Sequence, residues 1–291
     1  MDFSAVGKKI KELRKNIGLS QEELSEGICT QAQISKIEKG IVFPYASTLY
    51  LISQKLGVDV NYFFDIGMTP RLDYVQEVTK QLKIARREHQ YKEMMEIIKI
   101  EEENPLFLQN SKNLQLLLWH KGMYISEVEK NAHTAIETME KAIAITHSEN
   151  RVYTEREIEI LLSIGAIYGK EDLEKALEIF EDIKERLKLL PHLVDYTIKT
   201  RLLYNLARVL TRLNKMEESS DYCRSAIKWC LEKDTLYLLG QLHYQIGYNN
   251  ELLGEREKAK NYMEKALIVF ELQHDKVFSP LIKNKINELS N

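Results

Sequence analysis

At 291 residues, 44% hydrophobic and 29% charged, the chain is long enough for two domains or for one domain and a repeat array. Its net charge of −3 excludes a generally basic nucleic-acid binder, so any DNA contact must be local and geometric. With only 12 Gly and 5 Pro, long helices are expected, and no apolar run of 18 residues announces a membrane span.

The start, MDFSAVGKKIKEL, has no apolar signal region and no cleavage signature. Cys29, Cys223 and Cys230 are odd in number and match no zinc spacing, so a reducing cytoplasm is expected, without metal or cofactor.

Val6, Ile10, Leu13 and Ile17 repeat at helical spacing with Lys8, Lys9, Lys11 and Arg14 between them, which predicts an amphipathic first helix with a basic outer face. Gly18 stops it. Ser20 is a good N-cap, and Glu23 completes a capping box for a second helix running through Leu24 to about Gly27 or Ile28. A turn at Cys29 and Thr30 leads to a third helix, roughly Gln31 to Lys39, with Ile34 and Ile37 inward and Gly40 at its end. Pro44 precedes a fourth helix holding Leu49, Ile52 and Leu56, and a fifth short helix holds Tyr62 and Phe63.

The five helices and the string SQEELSEGI…TQAQISKIEKG…P resemble the Cro-type helix-turn-helix family. The resemblance implies that the third helix lies in the major groove, with Thr30, Gln31, Gln33 and Lys36 at the base edges. Glutamine can bind adenine through two hydrogen bonds, and threonine can touch a thymine methyl or a phosphate. Gln21, opening the second helix, matches a phosphate contact, as do Ser35 and Lys36; Glu38 matches a structural residue tied to Arg14. Residues 1–65 hold 8 Lys and Arg against 8 Asp and Glu, so one neutral copy binds double-stranded DNA weakly. A homodimer reading half-sites about 34 Å apart on a near-palindromic operator resolves this.

From about residue 72 the pattern is helical and repeats. Ala135, Met139, Ala142; Ala176, Phe180, Ile183; Ser219, Cys223, Ala226; and Ala259, Met263, Ala266 share one spacing, their first members 41, 43 and 40 residues apart. Upstream of each set stands a small residue: Gly122, Gly165, Ala207 and Gly247. This resembles the tetratricopeptide repeat, with the large middle residue expected to fill the gap to the next pair. Residues 72–103 read as a degenerate leading pair with Tyr91 and Ile98 as core, and 277–290, with Leu281, Ile286 and Leu289, as a C-terminal capping helix. The expected fold is therefore all-α. It has a five-helix helix-turn-helix domain at 1–66, a linker helix region at 67–81, and at 72–291 a right-handed superhelix of about five tetratricopeptide-like hairpins.

Stacked hairpins present the first helix of each pair on a concave face. Two residues before each small one come His120, Ser163, Asn205 and Gln245; a turn earlier, Leu116, Glu159, Arg201 and Gln241; just after, Met123, Ala166, Arg208 and Tyr248. A side-chain amide both donates and accepts, so it can pair with the N–H and C=O of an extended peptide of any sequence.

Taken together, the reading head and the array resemble the PlcR-type quorum-sensing regulators of Gram-positive bacteria, through GLSQEELSEGIC, QYKEMMEII, ALEIFEDI and LLGQLHYQIG. The resemblance implies a transcriptional regulator controlled by a short signalling peptide on the concave face, which changes how a dimer presents its two DNA-binding heads. It implies peptide contacts from Asn205 and Gln245, with Arg201, Gln241 and Tyr248 on the same wall, and places Arg87 and His89 where relatives grip an acidic group. Ser163 and Ala166 stand where relatives carry an amide. The alternative is an array that binds a folded partner as an adaptor, without a peptide ligand. An enzyme is not expected, since no Gly-rich phosphate loop, His-x-x-x-His pair or Gly-x-Ser-x-Gly motif is present.

Overall fold

The computed structural model describes residues 2–149 and 151–290, and among them every regular element is a helix. The chain divides into two compact units between His120 and Lys121.

The first unit opens with α1 (Phe3–Asn16), capped by the Asp2 carboxylate, which accepts from the Ser4 and Ala5 amides. Ser20 and Glu23 close the expected capping box on α2 (Gln21–Ser25). This helix is shorter than its sequence suggests, because Gly27 takes a left-handed φ of 76° and turns the chain away. Thr30 caps α3 (Gln31–Glu38), followed by α4 (Ala46–Leu56) and α5 (Val60–Met68). Val6, Ile10, Leu24, Ile34, Ile37, Leu49, Ile52 and Phe63 form one core. A Cβ added at Gly7 would lie 2.1 Å from the Ile37 carbonyl oxygen, so α1 and α3 meet backbone to backbone. That close approach fixes the depth and angle at which α3 is held.

Residues 69–71, with Pro70 among them, separate α5 from α6 (Leu72–Arg87). Then come α7 (Tyr91–Glu101), the single turn α8 (Pro105–Leu108) and α9 (Ser111–Tyr124). Val78, Leu82, Met94 and Ile98 are buried here. Tyr91 is not a core residue as expected. It opens α7, is half-buried, and holds His89 Nδ1 at 2.9 Å from its hydroxyl, so Met94 takes the inward position.

In the second unit a π-helical turn at Ile125–Glu129 leads to α10 (Ala132–Thr146). Three hairpins follow: α11 (Glu155–Glu171) with α12 (Leu173–Lys188), α13 (Thr197–Arg212) with α14 (Met216–Glu232), and α15 (Leu239–Leu252) with α16 (Arg256–Leu272). The small residues explain the pairing. A Cβ at Gly165 would meet the Phe180 ring at 2.5 Å, one at Gly122 would meet Met139 at 2.7 Å, and one at Gly247 would meet Met263 at 2.9 Å. The large middle residue of these three motifs thus fills the space over the small residue of its own pair, and Phe180 also shares a buried cluster with Ile198, Leu202 and Leu206 of the next pair. α17 (Phe278–Ser290) closes the unit by burying Ile282 against Met263, Ala266 and Phe270. Leu281, expected inside, is 58% exposed, because the helix turns its neighbour Ile282 to the core.

Candidate functional site

The first site is built on the start of α3. Arg14 donates from Nε to Glu38 Oε1 at 2.6 Å and from a terminal nitrogen to Glu38 Oε2 at 3.1 Å, and it also donates to the Leu19 carbonyl at 2.6 Å. Gln21 Nε2 donates to Glu38 Oε2 at 2.7 Å, and Gln31 Nε2 donates to Gln21 Oε1 at 2.7 Å. Burial works to raise the Glu38 pKa, but the bonds from Arg14 and Gln21 outweigh it and hold this carboxyl below its usual range. A carboxylate only accepts, so Gln21 must turn its nitrogen inward and its oxygen toward Gln31. Gln31 must in turn give Gln21 a proton, which leaves its own Oε1 and second N–H available. One acceptor beside one donor is the pattern that pairs with adenine in the major groove.

The remaining candidates surround this pair. Thr30, which is exposed, accepts from the Gln33 amide at 3.2 Å as the N-cap of α3. Gln33 and Ser35 are half-exposed, and Lys36 is exposed. The tie between Arg14 and Glu38 was legible in the sequence; the chain of amides leading from it to the helix start was not.

Also in the first unit, Arg87 ends α6, and His89 follows in the left-handed region with φ 57°. Both are exposed.

The second site lies on the wall formed by α11, α13 and α15. Each carries half-exposed or exposed residues at stripe spacing: Glu159, Ser163, Ala166; Arg201, Asn205, Arg208; Gln241 and Tyr248. Arg201 donates to Glu159 at 2.6 Å across two hairpins. Burial works against the Arg201 charge, yet Glu159 outweighs it and raises its pKa. The Arg201 Nε has no hydrogen-bond partner, and neither does Gln241 Oε1. Ser163 turns its hydroxyl back to the Glu159 carbonyl at 3.0 Å. Tyr248 stacks on Tyr244 with ring centres 6.3 Å apart, and Arg208 sits over the Tyr204 ring at 5.7 Å. Burial raises the pKa of both Tyr204 and Tyr244, so both phenols stay protonated donors at neutral pH.

Gln245 differs from expectation. It is 7% exposed, and its Nε2 donates inward, to Thr211 Oγ1 at 2.8 Å and Asn249 Oδ1 at 3.3 Å. Its nitrogen is therefore engaged within the chain. The residues responsible, Thr211 and Asn249, were missed from sequence; their signal was a pair of polar side chains on otherwise apolar helix faces. Among the described residues no group of three or more His, Cys, Asp or Glu side chains is placed to hold a metal, and no helix is long and apolar enough to cross a membrane.

The model of the RNPP family C-terminal domain matches residues 79–289. The chain belongs to the RNPP family. Within this RNPP chain a helix-turn-helix domain matches residues 7–65. Over 61 residues it is 46% identical to uncharacterized HTH-type transcriptional regulators of Sinorhizobium medicae and Rhizobium meliloti; that stretch is 21% of this chain and 44% of each of those proteins. The chain thus spans under half the length of these curated relatives. Among solved structures, Bacillus thuringiensis PlcR in complex with the peptide PapR7 and DNA superposes with a TM-score of 0.88 at 24% identity, covering 96% of this chain and 99% of that one. ComR from S. thermophilus, in complex with DNA and its signalling peptide ComS, gives 0.65 at 17% identity, covering 98% of this chain and 100% of that one. The Streptococcus dysgalactiae SHP pheromone receptor Rgg2 gives 0.64 at 14%, covering 97% and 99%. These likenesses establish the fold expected from the sequence: a helix-turn-helix followed by a helical repeat domain.

Proposed function

We propose that this RNPP member is a DNA-binding transcriptional regulator controlled by a short peptide held on the inner wall of its repeats. The observation that carries the proposal is the pairing of two differently built surfaces in one chain. One is an amide pair anchored by a buried ion pair at the start of α3. The other is a wall on which Arg201 Nε and Gln241 Oε1 have no hydrogen-bond partner. The first suits a base edge. The second suits an extended main chain, which offers donors and acceptors at regular intervals.

Gln31 and Gln33 read bases beside Thr30, while Gln21, Ser35 and Lys36 hold phosphates. On the wall, Arg208 favours an acidic peptide, Arg201 is held in place by Glu159, and Asn205, Gln241, Gln245, Ser163 and Tyr248 supply neutral contacts; in the first unit, Arg87 and His89 are basic candidates of their own. The complexes of PlcR and ComR with peptide and DNA support this reading. The protein works as a homodimer in the cytoplasm, because a head with 8 basic and 8 acidic residues needs a second copy for tight binding. Peptide control is a population shift, and its size is limited by the difference in peptide affinity between the two states of the array.

Selection from a random duplex pool with the full chain tests the DNA half. A near-palindrome with half-sites about one helical turn apart is expected. Recovery of an unpaired single site, or of no site, counts against a dimeric reader.

A further inference from the structure

Arg224, Ile227, Lys228 and Leu231 follow one another on α14 at steps of three and one, which keeps them on one face of the helix. With Tyr262 and Lys265 of α16 and His243 of α15 they line a pocket of about 580 Å³, a size that takes a small organic ligand. His243 stands about 200° round α15 from both Gln241 and Gln245, so this pocket is not part of the inner wall.

The pocket joins an apolar surface to an unbalanced charge. Leu231 is 63% exposed beside the half-buried Ile227, and the Tyr262 and His243 rings lie 30° from parallel with their centres 6.1 Å apart. His243 Nδ1 is buried without a hydrogen-bond partner. Burial and then the Lys265 ammonium lower the His243 pKa, so the imidazole is neutral at pH 7 and adds no charge. Of the three cations, Arg224 is matched by Asp221 at 2.7 Å and Lys228 more loosely by Glu232 at 3.9 Å. Lys265 sits over the Tyr262 ring at 4.9 Å, and among the described residues it makes no ion pair. One positive charge is therefore left over, next to apolar surface that a ligand would take out of water.

We propose that this pocket is a second ligand site, separate from the repeat wall, for a small organic monocarboxylate whose apolar body lies against Ile227, Leu231 and the Tyr262 ring and whose carboxylate pairs with Lys265. The single unmatched cation selects one negative charge. The apolar body supplies most of the affinity, because an ion pair at an exposed lysine contributes little on its own. The proposal does not rest on the peptide reading and stands or falls apart from it.

The test titrates the full chain with 2-naphthoate, with octanoate and with their neutral amides, 2-naphthamide and octanamide. Binding is read from the His243 imidazole NMR signal, assigned by its loss in His243→Gln. At least one acid is expected to shift that signal with a Kd of about 1 mM or tighter, the affinity a ligand of this size reaches at ordinary efficiency. Which acid binds better tells an aromatic body from an aliphatic one. The matching amide should bind about three- to fivefold more weakly, and Lys265→Met should abolish that difference. Leu231→Glu, which removes apolar wall and adds a like charge, should weaken the acid at least about tenfold. Both residues are exposed, so neither change touches the core. No shift of the His243 signal by either acid up to about 10 mM overturns the site. Equal affinity for acid and amide in the wild type, or a preference for the acid that survives in Lys265→Met, overturns the assignment of a carboxylate to Lys265. Unchanged acid affinity in Leu231→Glu places the ligand elsewhere and overturns the site as well.

Discussion

Breaking the ion pair beneath the reading head is predicted to unfold that head more severely when one partner is removed than when both are. The Arg14 side chain is 9% exposed and that of Glu38 is 1%. Glu38 accepts two bonds from Arg14 and one from Gln21, so Glu38→Ala strands a buried guanidinium and frees Gln21 at once. An uncompensated buried charge costs about 3–5 kcal/mol, a large part of the ~5–15 kcal/mol that a domain has in hand. Arg14→Met/Glu38→Leu leaves no charge behind and should lose less than either single change. The assay is urea-dependent hydrogen exchange of the full chain, read by mass spectrometry on fragments covering α1 to α5. If the double variant is as unstable as the sum of Glu38→Leu and Arg14→Met, the two residues are not coupled, and the account of how Gln21 and Gln31 are oriented loses its foundation.

Three further outcomes follow from the same geometry. Gln33→Ala should weaken specific DNA binding by about 1–3 kcal/mol and relax one base position, as read by competition with single-base operator variants; unchanged base preference would mean that α3 sits differently on the duplex. Asn205→Ala should lower peptide affinity by about 0.5–1.5 kcal/mol in isothermal titration while leaving the melting temperature unchanged, because it removes polar bonds and not core volume. Glu157 is fully buried and accepts from Thr146, Arg151 and the Thr154 amide, with His147 Nδ1 3.7 Å away. Burial would raise its pKa, but these donors hold it below the usual range. Its stabilisation is thus full above the unfolded carboxylate range, near pH ~4.3, and is lost as pH falls through the lower folded value. Stability curves of wild type and Glu157→Gln should converge on acidification; a constant gap down to low pH would show that the charge of Glu157 is not what matters.

Local signals carried most of the fold. The Ser20 capping box, the left-handed glycines and the spacing of Val6, Ile10, Ile34 and Ile37 are short-range patterns, and each element they forecast is present. The repeat was legible because Gly122, Gly165 and Gly247 stand at one position of successive hairpins, where a Cβ would strike the facing helix. Spacing alone did not show that Phe180 packs over Gly165 of its own hairpin as well as clustering with Ile198 and Leu202 of the next. Leu281 and Ile282 show the same limit: adjacent apolar residues on a helix end are separated only by which one turns inward. At the sites, sequence singled out positions but not hydrogen-bond directions. Gln245 and Asn205 look alike in the repeat, and only the packing of Thr211 and Asn249 behind Gln245 distinguishes them. The Thr211 contact lies 34 residues away in the chain, beyond any local pattern.

The central claim is that occupancy of the repeat wall changes how the chain holds DNA. It is tested most directly by measuring affinity for a duplex selected on the full chain, at fixed salt, with and without saturating amounts of a wall-binding heptapeptide whose binding is verified by its loss in Asn205→Ala. The account predicts a shift in DNA affinity of about 5–150-fold, the usual span of coupling between two sites, and the same factor in peptide affinity when DNA is added. Equal DNA affinity at full peptide occupancy would contradict it.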